Sequence, residues 1–223
     1  MRTKIVLTGI EMRKLIAISE FADPVSKEPQ HQVIALYNDG TGLHTSAHSD
    51  YAIAEATIHS VSENLGRQIA FFGLDFIKDV KHLTRLKKFY KQEFTLTIDH
   101  KKKVWNVDGD KTGTLEWVDY PNVDQLFGPN KVIYPILGWF KPSLLKSLAF
   151  VNDTMGYLGD AWILGTTMEP GEDQRVLDDH GRYRATRMTA VRKDWRALVN
   201  ARFRTGANNP ENEVVMGYSV SKS

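Results

Sequence analysis

The feature that most constrains the fold is an order of predicted elements, strand–helix–strand–strand–strand, that occurs twice in the first 118 residues. In the first occurrence the strands fall near 4–8, 31–37, 42–47 and 51–58, and the helix follows Gly9 and ends before Asp23-Pro24. In the second the strands fall near 67–72, 93–99, 102–107 and 112–118, and the helix is predicted from about 75 to 90. Two βαβββ units in tandem restrict the architecture more than any single motif does.

Turn residues mark where the chain reverses and where a first domain ends. Asn38-Asp39-Gly40 and Asp108-Gly109-Asp110 are typical of hairpins. Residues 119–130 (DYPNVDQLFGPN) have the composition of a connector. We therefore predict an α+β protein with two tandem domains, 1–125 and 131–223, the second shortened or divergent.

The second half gives one unambiguous helix and one ambiguous segment. Pro142 begins a helix whose apolar face carries Leu144, Leu145, Leu148 and Val151. Strands are predicted near 131–136, 161–168, 175–179, 182–189 and 213–220. Residues 190–200 fit a helix, but Trp195, Ala197 and Val199 also alternate as in a strand. We favour the helix.

Composition excludes several classes of protein. The chain has no cysteine, so thiolate zinc sites, disulfides and cysteine nucleophiles are ruled out. No apolar run is long enough to span a membrane, and the charged start lacks a cleavage site, so we expect a cytoplasmic protein. Phosphate-loop, dinucleotide, esterase and zincin motifs are missing from the sequence. We expect no cofactor and no catalysis.

Some titratable residues stand close enough in the sequence to suggest a metal site. His44 and His48 stand four apart, but in a predicted strand and turn, where that spacing does not give metal-ligand geometry. Asp178, Asp179 and His180 could belong to a magnesium nuclease, yet no convergent third carboxylate is marked. We predict no metal site.

The net charge is only +2, but the basic residues are concentrated on predicted helices. Between positions 78 and 91 there are six Lys or Arg and one acid, and four of the bases form one stripe on the second helix. Such a row can follow a phosphate backbone, although most charged helix faces are merely solvated. The predicted DNA-binding residues are Arg13, Lys14, Lys78, Lys81, Arg85, Lys88, Lys146, Arg192, Lys193 and Arg196.

The local sequence resembles the DNA sliding clamps, polymerase processivity factors that include the bacterial β subunits. The resemblance lies in MRKLIAISEF, in Gly42-Leu43 followed by Thr45-Ser46 and Asp50, and in the run Tyr120-Pro121-Asn122-Val123-Asp124. Val214-Val215-Met216 is similar to a final clamp strand. Coverage is good over about 4–125 and thin afterwards, and the +2 charge departs from the usual acidic clamps.

The resemblance implies a ring of six similar domains around duplex DNA, which a two-domain chain reaches as a homotrimer. Phage-type clamps have this arrangement. It also implies partners, a DNA polymerase and possibly a clamp loader, that dock short apolar peptides in a groove between the domains. The residues expected to line that groove are Val123, Phe127, Val214, Met216 and Tyr218.

Three alternatives stay open at this point. A virion or tail-tube β protein would also carry strand repeats, an open monomeric clamp-like factor would bind DNA without closing, and a nuclease would use Asp178.

Overall fold

A computed structural model describes most of the first 123 residues and selected elements of the remainder. The described residues are 2–39, 42–50, 52–58, 62–63, 69–82, 87–123, 127, 132–134, 137–138, 142–154, 162–167, 187–191, 195–200 and 216–217.

The predicted repeat is confirmed. The first unit consists of β1 (Arg2–Thr8), α1 (Gly9–Ile18), β2 (Val33–Asn38), β3 (Leu43–His48) and β4 (Ala52–Ile58). After the two-residue β5 (Ser62–Glu63), the second consists of β6 (Ala70–Gly73), α2 (Leu74–Lys81), β7 (Glu93–Asp99), β8 (Val104–Val107) and β9 (Lys111–Glu116). Short 3-10 helices span Ser19–Phe21, Pro29–Gln32 and Lys87–Phe89.

In the C-terminal part, the described elements are two short strands, a helix and four further strands. Its elements are β10 (Val132–Tyr134), β11 (Leu137–Gly138), α3 (Pro142–Thr154), β12 (Trp162–Thr167), β13 (Arg187–Val191), β14 (Trp195–Asn200) and β15 (Met216–Gly217). The predicted strand at 175–179 lies outside the described residues. The division into domains 1–125 and 131–223 stays a prediction.

Among the described strands, thirteen form one antiparallel sheet in the order β10-β12-β13-β14-β4-β3-β2-β6-β9-β8-β7-β1-β5, and β11 pairs with β15. The first two units exchange their first strands within it. β1 pairs with β7 of the second unit, whereas β6 pairs with β2 of the first. Because each unit completes the other's sheet, we infer that the two units fold together.

The first amides of α1 bond to residues that the sequence analysis placed at or just after the end of the second helix, and this segment is not helical up to residue 90. Thr8 and Glu11 form a capping box, in which the Thr8 amide donates to the Glu11 carboxylate at 2.8 Å. The amide of Gly9 donates to the carbonyl of Gln92 at 2.8 Å, and that of Ile10 donates to Tyr90 at 3.1 Å. These carbonyls stabilise otherwise unpaired helix amides. The prediction of one helix up to 90 is wrong, because this part of the chain forms a 3-10 turn directed at α1.

The close contact at Gly9 requires a glycine. A Cβ built there would lie 2.0 Å from the carbonyl oxygen of Phe89. The strand β1 can therefore pass directly into α1 beside this segment only if position 9 has no side chain.

The preferred helix over 190–200 is also wrong, because Trp195–Asn200 is a strand. β14 pairs antiparallel with β4, with Trp195 opposite Ala56, Ala197 opposite Ala54, and Val199 opposite Ala52. The alternation seen in the sequence therefore reports a strand buried on its two faces.

Side chains on the two faces of the sheet contact different parts of the chain. The inner face packs against α1, α2 and α3 in the main hydrophobic core, and small residues such as Ala52, Ala54 and Ala197 lie there on β4 and β14. The outer face is covered by the connector that follows β9, through Val118, Tyr120, Val123 and Phe127. This connector therefore lies on the face opposite the helices.

Candidate DNA surface and partner cleft

The predicted basic row begins on α2, whose two faces differ sharply. Phe76, Ile77 and Val80 are buried, while Lys78 and Lys81 are exposed. Lys78 lies 2.7 Å from the carboxylate of Asp75, and this hydrogen bond raises the pKa of Lys78. Because Asp75 offsets part of that charge, Lys81 is the better placed of the two for a polyanion.

Three further bases keep accessible positions near the helices. Lys146 is exposed on α3, and Lys88 is exposed in the 3-10 turn with its ammonium 4.9 Å from the Phe89 ring centre. The Arg13 guanidinium, on α1, lies 5.1 Å from the ring centre of Tyr90. α1 packs against both α2 and α3, so these bases belong to neighbouring helices and to the 3-10 turn beside them.

Two of the predicted DNA-binding residues need correction. Lys14 is buried, with 6% of its surface exposed, and its ammonium donates to the carbonyl of Thr57 at 3.4 Å. Arg196 lies on a strand, not a helix, and its side chain is on the outer face of the sheet. Arg85, Arg192 and Lys193 lie outside the described residues.

Arg196 instead belongs to a polar network across the pairing of β4 and β14. Its Nε donates to the buried carboxylate of Glu55 at 2.6 Å, and the Tyr37 hydroxyl donates to the other Glu55 oxygen. Burial and the neighbouring Glu55 raise the pKa of Tyr37, so the phenol stays protonated and donates. The guanidinium also lies 4.1 Å from the ring centre of Phe127 in the connector.

A cleft of about 500 Å³ opens beside this network, at the turn between β3 and β4. Its walls come from the strands β3, β4 and β14, from the 3-10 turn at Pro29–Gln32, and from the connector. The apolar lining residues are Ala52, Ile53, Pro121 and Leu198, and the polar ones are Gln30, His31, His48, Ser49, Asp50 and Asp119. Mixed apolar and polar walls of this kind fit a short peptide segment better than a metal or a phosphate.

His48 forms the inner wall of the cleft within a cluster of rings. Its ring centre lies 4.8 Å from that of His31 and 4.9 Å from that of Tyr120, both edge to face. Burial, together with the neighbouring His31, lowers the pKa of His48 to about 4. The imidazole is therefore neutral near pH 7 and acts as an aromatic wall.

The predicted groove residues are partly brought together. Val123 and Phe127 are buried against Ile53 and Leu198, next to the cleft. Met216 pairs through β15 with Gly138, while Val214 and Tyr218 lie outside the described residues. The sequence analysis did not predict Ile53 and Leu198 as cleft residues. Both side chains lie on the outer face, but the sequence did not show that their strands, β4 and β14, are neighbours.

Two further observations concern other classes of site. Over the described residues, no group of three or more His, Asp or Glu side chains is arranged to hold a metal ion. Within the same ranges, no helix is long and apolar enough to cross a membrane.

Comparison with solved structures places this arrangement among known folds. A putative DNA polymerase III β subunit from Eubacterium rectale superposes with a TM-score of 0.58 at 10% identity, covering 93% of this chain and 67% of that one. The β subunit of Thermotoga maritima gives 0.58 at 13% identity, covering 94% and 66%. The sliding clamp of Bacillus subtilis gives 0.52 at 10% identity, covering 95% and 69%.

The chain has the fold of a DNA sliding clamp. The resemblance predicted from the local sequence is thereby confirmed at the level of the fold. No family model matches the sequence, and the search of curated proteins finds no match. The chain spans about two thirds of the length of these clamp structures.

We expect acid to destabilise this clamp fold through His48. The unfolded chain takes up the proton with a pKa near 6.5, but the folded one only near 4. Unfolding therefore binds a proton in this window, and the free energy of unfolding should fall as the pH drops from about 6.5 to 4, by at most about 3 kcal/mol. Urea unfolding across this range measures it. His48→Gln should flatten the slope, the exposed His82→Gln should not, and equal slopes in all three proteins would contradict the assignment.

We expect Arg196 and Glu55 to be energetically coupled. Arg196→Met removes the Nε donor that lies 2.6 Å from a buried carboxylate, so it should cost more than the same change in a Glu55→Leu background. A double-mutant cycle by urea unfolding should give a coupling of about 1–3 kcal/mol. A coupling near zero would show that the pair is incidental to the junction of β4 and β14.

Proposed function

We propose that this chain is a sliding clamp that encircles duplex DNA and tethers a DNA polymerase during processive replication. The observation that carries the proposal is the pairing of a clamp fold with exposed bases on its helices. The role is not catalytic: the ring holds the polymerase on its template. It would act in the cytoplasm of a bacterial or phage-infected cell.

The charge distribution supports sequence-independent contact with DNA. Lys81, Lys88 and Lys146 are exposed near packed helices, while the whole chain carries only +2. Lys and Arg on phosphates release counterions and read no base sequence, so the protein can slide. Closure of the ring, not affinity, then prevents escape.

The repeat supports an assembly of several copies. A ring of six similar domains would need three copies of a two-domain chain, which gives the homotrimer. A clamp loader would open the ring on closed DNA if it does not assemble by itself.

The cleft supports a partner that presents a short apolar peptide, such as a polymerase tail. Ile53, Pro121 and Leu198 provide apolar walls, and His48 provides an aromatic one. Val123 and Phe127 would shape this cleft from behind, since both are buried. The cleft opens at the turn between β3 and β4, beside the connector that covers the outer face.

We expect charge reversal on the helix side to weaken DNA binding. A variant with Lys81→Glu, Lys88→Glu and Lys146→Glu should bind duplex DNA about tenfold or more weakly at low salt, because it loses phosphate contacts. Fluorescence anisotropy measures this. The matched control reverses three exposed lysines elsewhere, Lys4, Lys101 and Lys102, and should bind nearly as the natural protein does.

Retention on DNA of different topology tests encirclement itself. Protein on nicked circular DNA should survive a high-salt wash and be released when the circle is cut. Equal, salt-sensitive retention on circular and linear DNA would contradict the ring, and open-ended stacks in electron micrographs would favour a tail-tube protein instead.

We expect short peptides with leucine or phenylalanine side chains to bind the cleft. Binding should shift the imidazole NMR signals of His31 and His48, which line the cleft, and leave that of the exposed His82 in place. A matched peptide with alanine at the apolar positions is the control. Shifts confined to other histidines, or none with any peptide, would contradict this site.

A further inference from the structure

The cleft at the turn between β3 and β4 carries a distinct charge. Apart from its histidines, the titratable side chains in its described lining are two carboxylates, Asp50 and Asp119. Asp50 belongs to the turn itself and Asp119 to the connector, so the two acids come from separate elements around one cavity. Both are accessible: the side chain of Asp50 is 61% exposed, and Asp119 is exposed as well. The cleft therefore presents negative charge to whatever enters it.

The described part of the chain offers no lysine or arginine to neutralise these acids. Within the described residues no such base lines the cleft, and none forms an ion pair with Asp50 or Asp119. Arg196 lies on the neighbouring strand β14, but its Nε donates to the buried carboxylate of Glu55 at 2.6 Å. That guanidinium is already engaged, so the two aspartates keep their charge available to a ligand.

The two histidines of the cleft do not hold the acids by hydrogen bonds. The Nδ1 of His31 lies 2.9 Å from the Ser26 hydroxyl, which is a hydrogen-bond distance, but 3.6 Å from the Asp50 carboxylate. His48 is neutral near pH 7, because burial and the neighbouring His31 lower its pKa to about 4. Neither ring therefore occupies the Asp50 carboxylate, which can turn toward a ligand.

A second feature of the cleft points to a ligand. His48 is only 6% exposed, and its buried Nε2 has no hydrogen-bond partner among the described residues. Buried polar atoms in folded proteins nearly always have a partner. In this cleft the missing bond would come from a polar group of the ligand, such as an amide of a peptide backbone. Ile53 and Leu198 line the same cavity, so one peptide would meet apolar, polar and acidic groups together.

We propose that the peptide bound in this cleft carries lysine or arginine next to its apolar residues, and that Asp50 and Asp119 select this positive charge. The inference rests on the proposed function, since it specifies the chemistry of the partner that this cleft would hold. A basic side chain is attracted by the two carboxylates, whereas a glutamate or aspartate at the same place is repelled. The same charges would keep the phosphates of nucleic acid out of the cleft.

Because both acids are exposed to water, they should act mainly on the choice between peptides. An exposed ion pair changes affinity only a few-fold, and salt screens it. Two attractions in a basic peptide, compared with two repulsions in an acidic one, should separate the peptides by about tenfold at low salt. The apolar anchors, which do not differ between these peptides, should provide the rest of the affinity.

The test measures three synthetic peptides that share a Leu-Leu-Phe core and carry Lys, Gln or Glu on both sides of it. By fluorescence anisotropy at low salt, the Lys peptide should bind the natural protein about tenfold more tightly than the Glu peptide, with the Gln peptide between them. The difference should shrink in high salt. A variant with Asp50→Lys and Asp119→Lys should reverse the order. The matched control, Glu93→Lys with Asp110→Lys, changes two exposed acids outside the cleft lining and should keep the order.

Equal binding of the three peptides, tighter binding of the Glu peptide, or a reversed order in the control variant would overturn the inference and leave the cleft as a peptide site. Binding of none would overturn both the inference and the peptide site, whereas retention on nicked circular DNA tests the clamp function separately. Circular dichroism checks that the double variant is folded. If it is not, Asp119→Lys alone replaces it and should still lower the preference for the Lys peptide about threefold.

Discussion

The antiparallel pairing of β14 with β4 is the contact on which the rest of the architecture depends. It joins the C-terminal part to the first unit in one continuous sheet. On the inner face it brings Ala197 beside Ala54, and these small side chains give α1 and α3 room to pack across the junction. On the outer face it sets Arg196 directly opposite Glu55, so that a buried carboxylate finds its partner. A one-residue slip in register would turn the other face of β14 toward the helices and take Arg196 away from Glu55.

Local sequence predicted the elements of the first two units well, because their patterns are those of independent local structures. The helix after Gly9 and the strand at Glu93–Asp99 are signalled within a few residues of themselves. The segment Trp195–Asn200 was not predictable in this way. Its alternation of Trp195, Ala197 and Val199 fits one face of a strand, but whether the other face is buried depends on β4, about 140 residues away. The sequence favours the helix slightly over the strand, and only the pairing with β4 decides between them.

The fate of individual charges was harder still to predict. Lys14 and Lys81 both stand on helices among other bases, yet one is buried against Thr57 and the other is exposed. The difference lies in tertiary packing, because α1 is covered on two sides by α2 and α3, whereas one side of α2 stays open. A sequence pattern assigns a residue to a helix, and the neighbouring helices decide whether its charge can reach a partner. The same holds for Ile53 and Leu198. They line one cleft only because β4 and β14, far apart in the sequence, are neighbours in the sheet.

The two partners of the proposed function would meet different parts of the sheet. The basic helices pack on the inner face, whereas the cleft opens at the turn between β3 and β4, beside outer-face residues such as Ile53 and Leu198. Changes that strengthen phosphate contacts on α2 need not alter the walls at His48 and Leu198. The connector packs on the outer face through Val118, Tyr120, Val123 and Phe127. Under the proposed function, DNA would contact the helices while a second partner occupies the cleft, so the two partners would use different side chains of one fold.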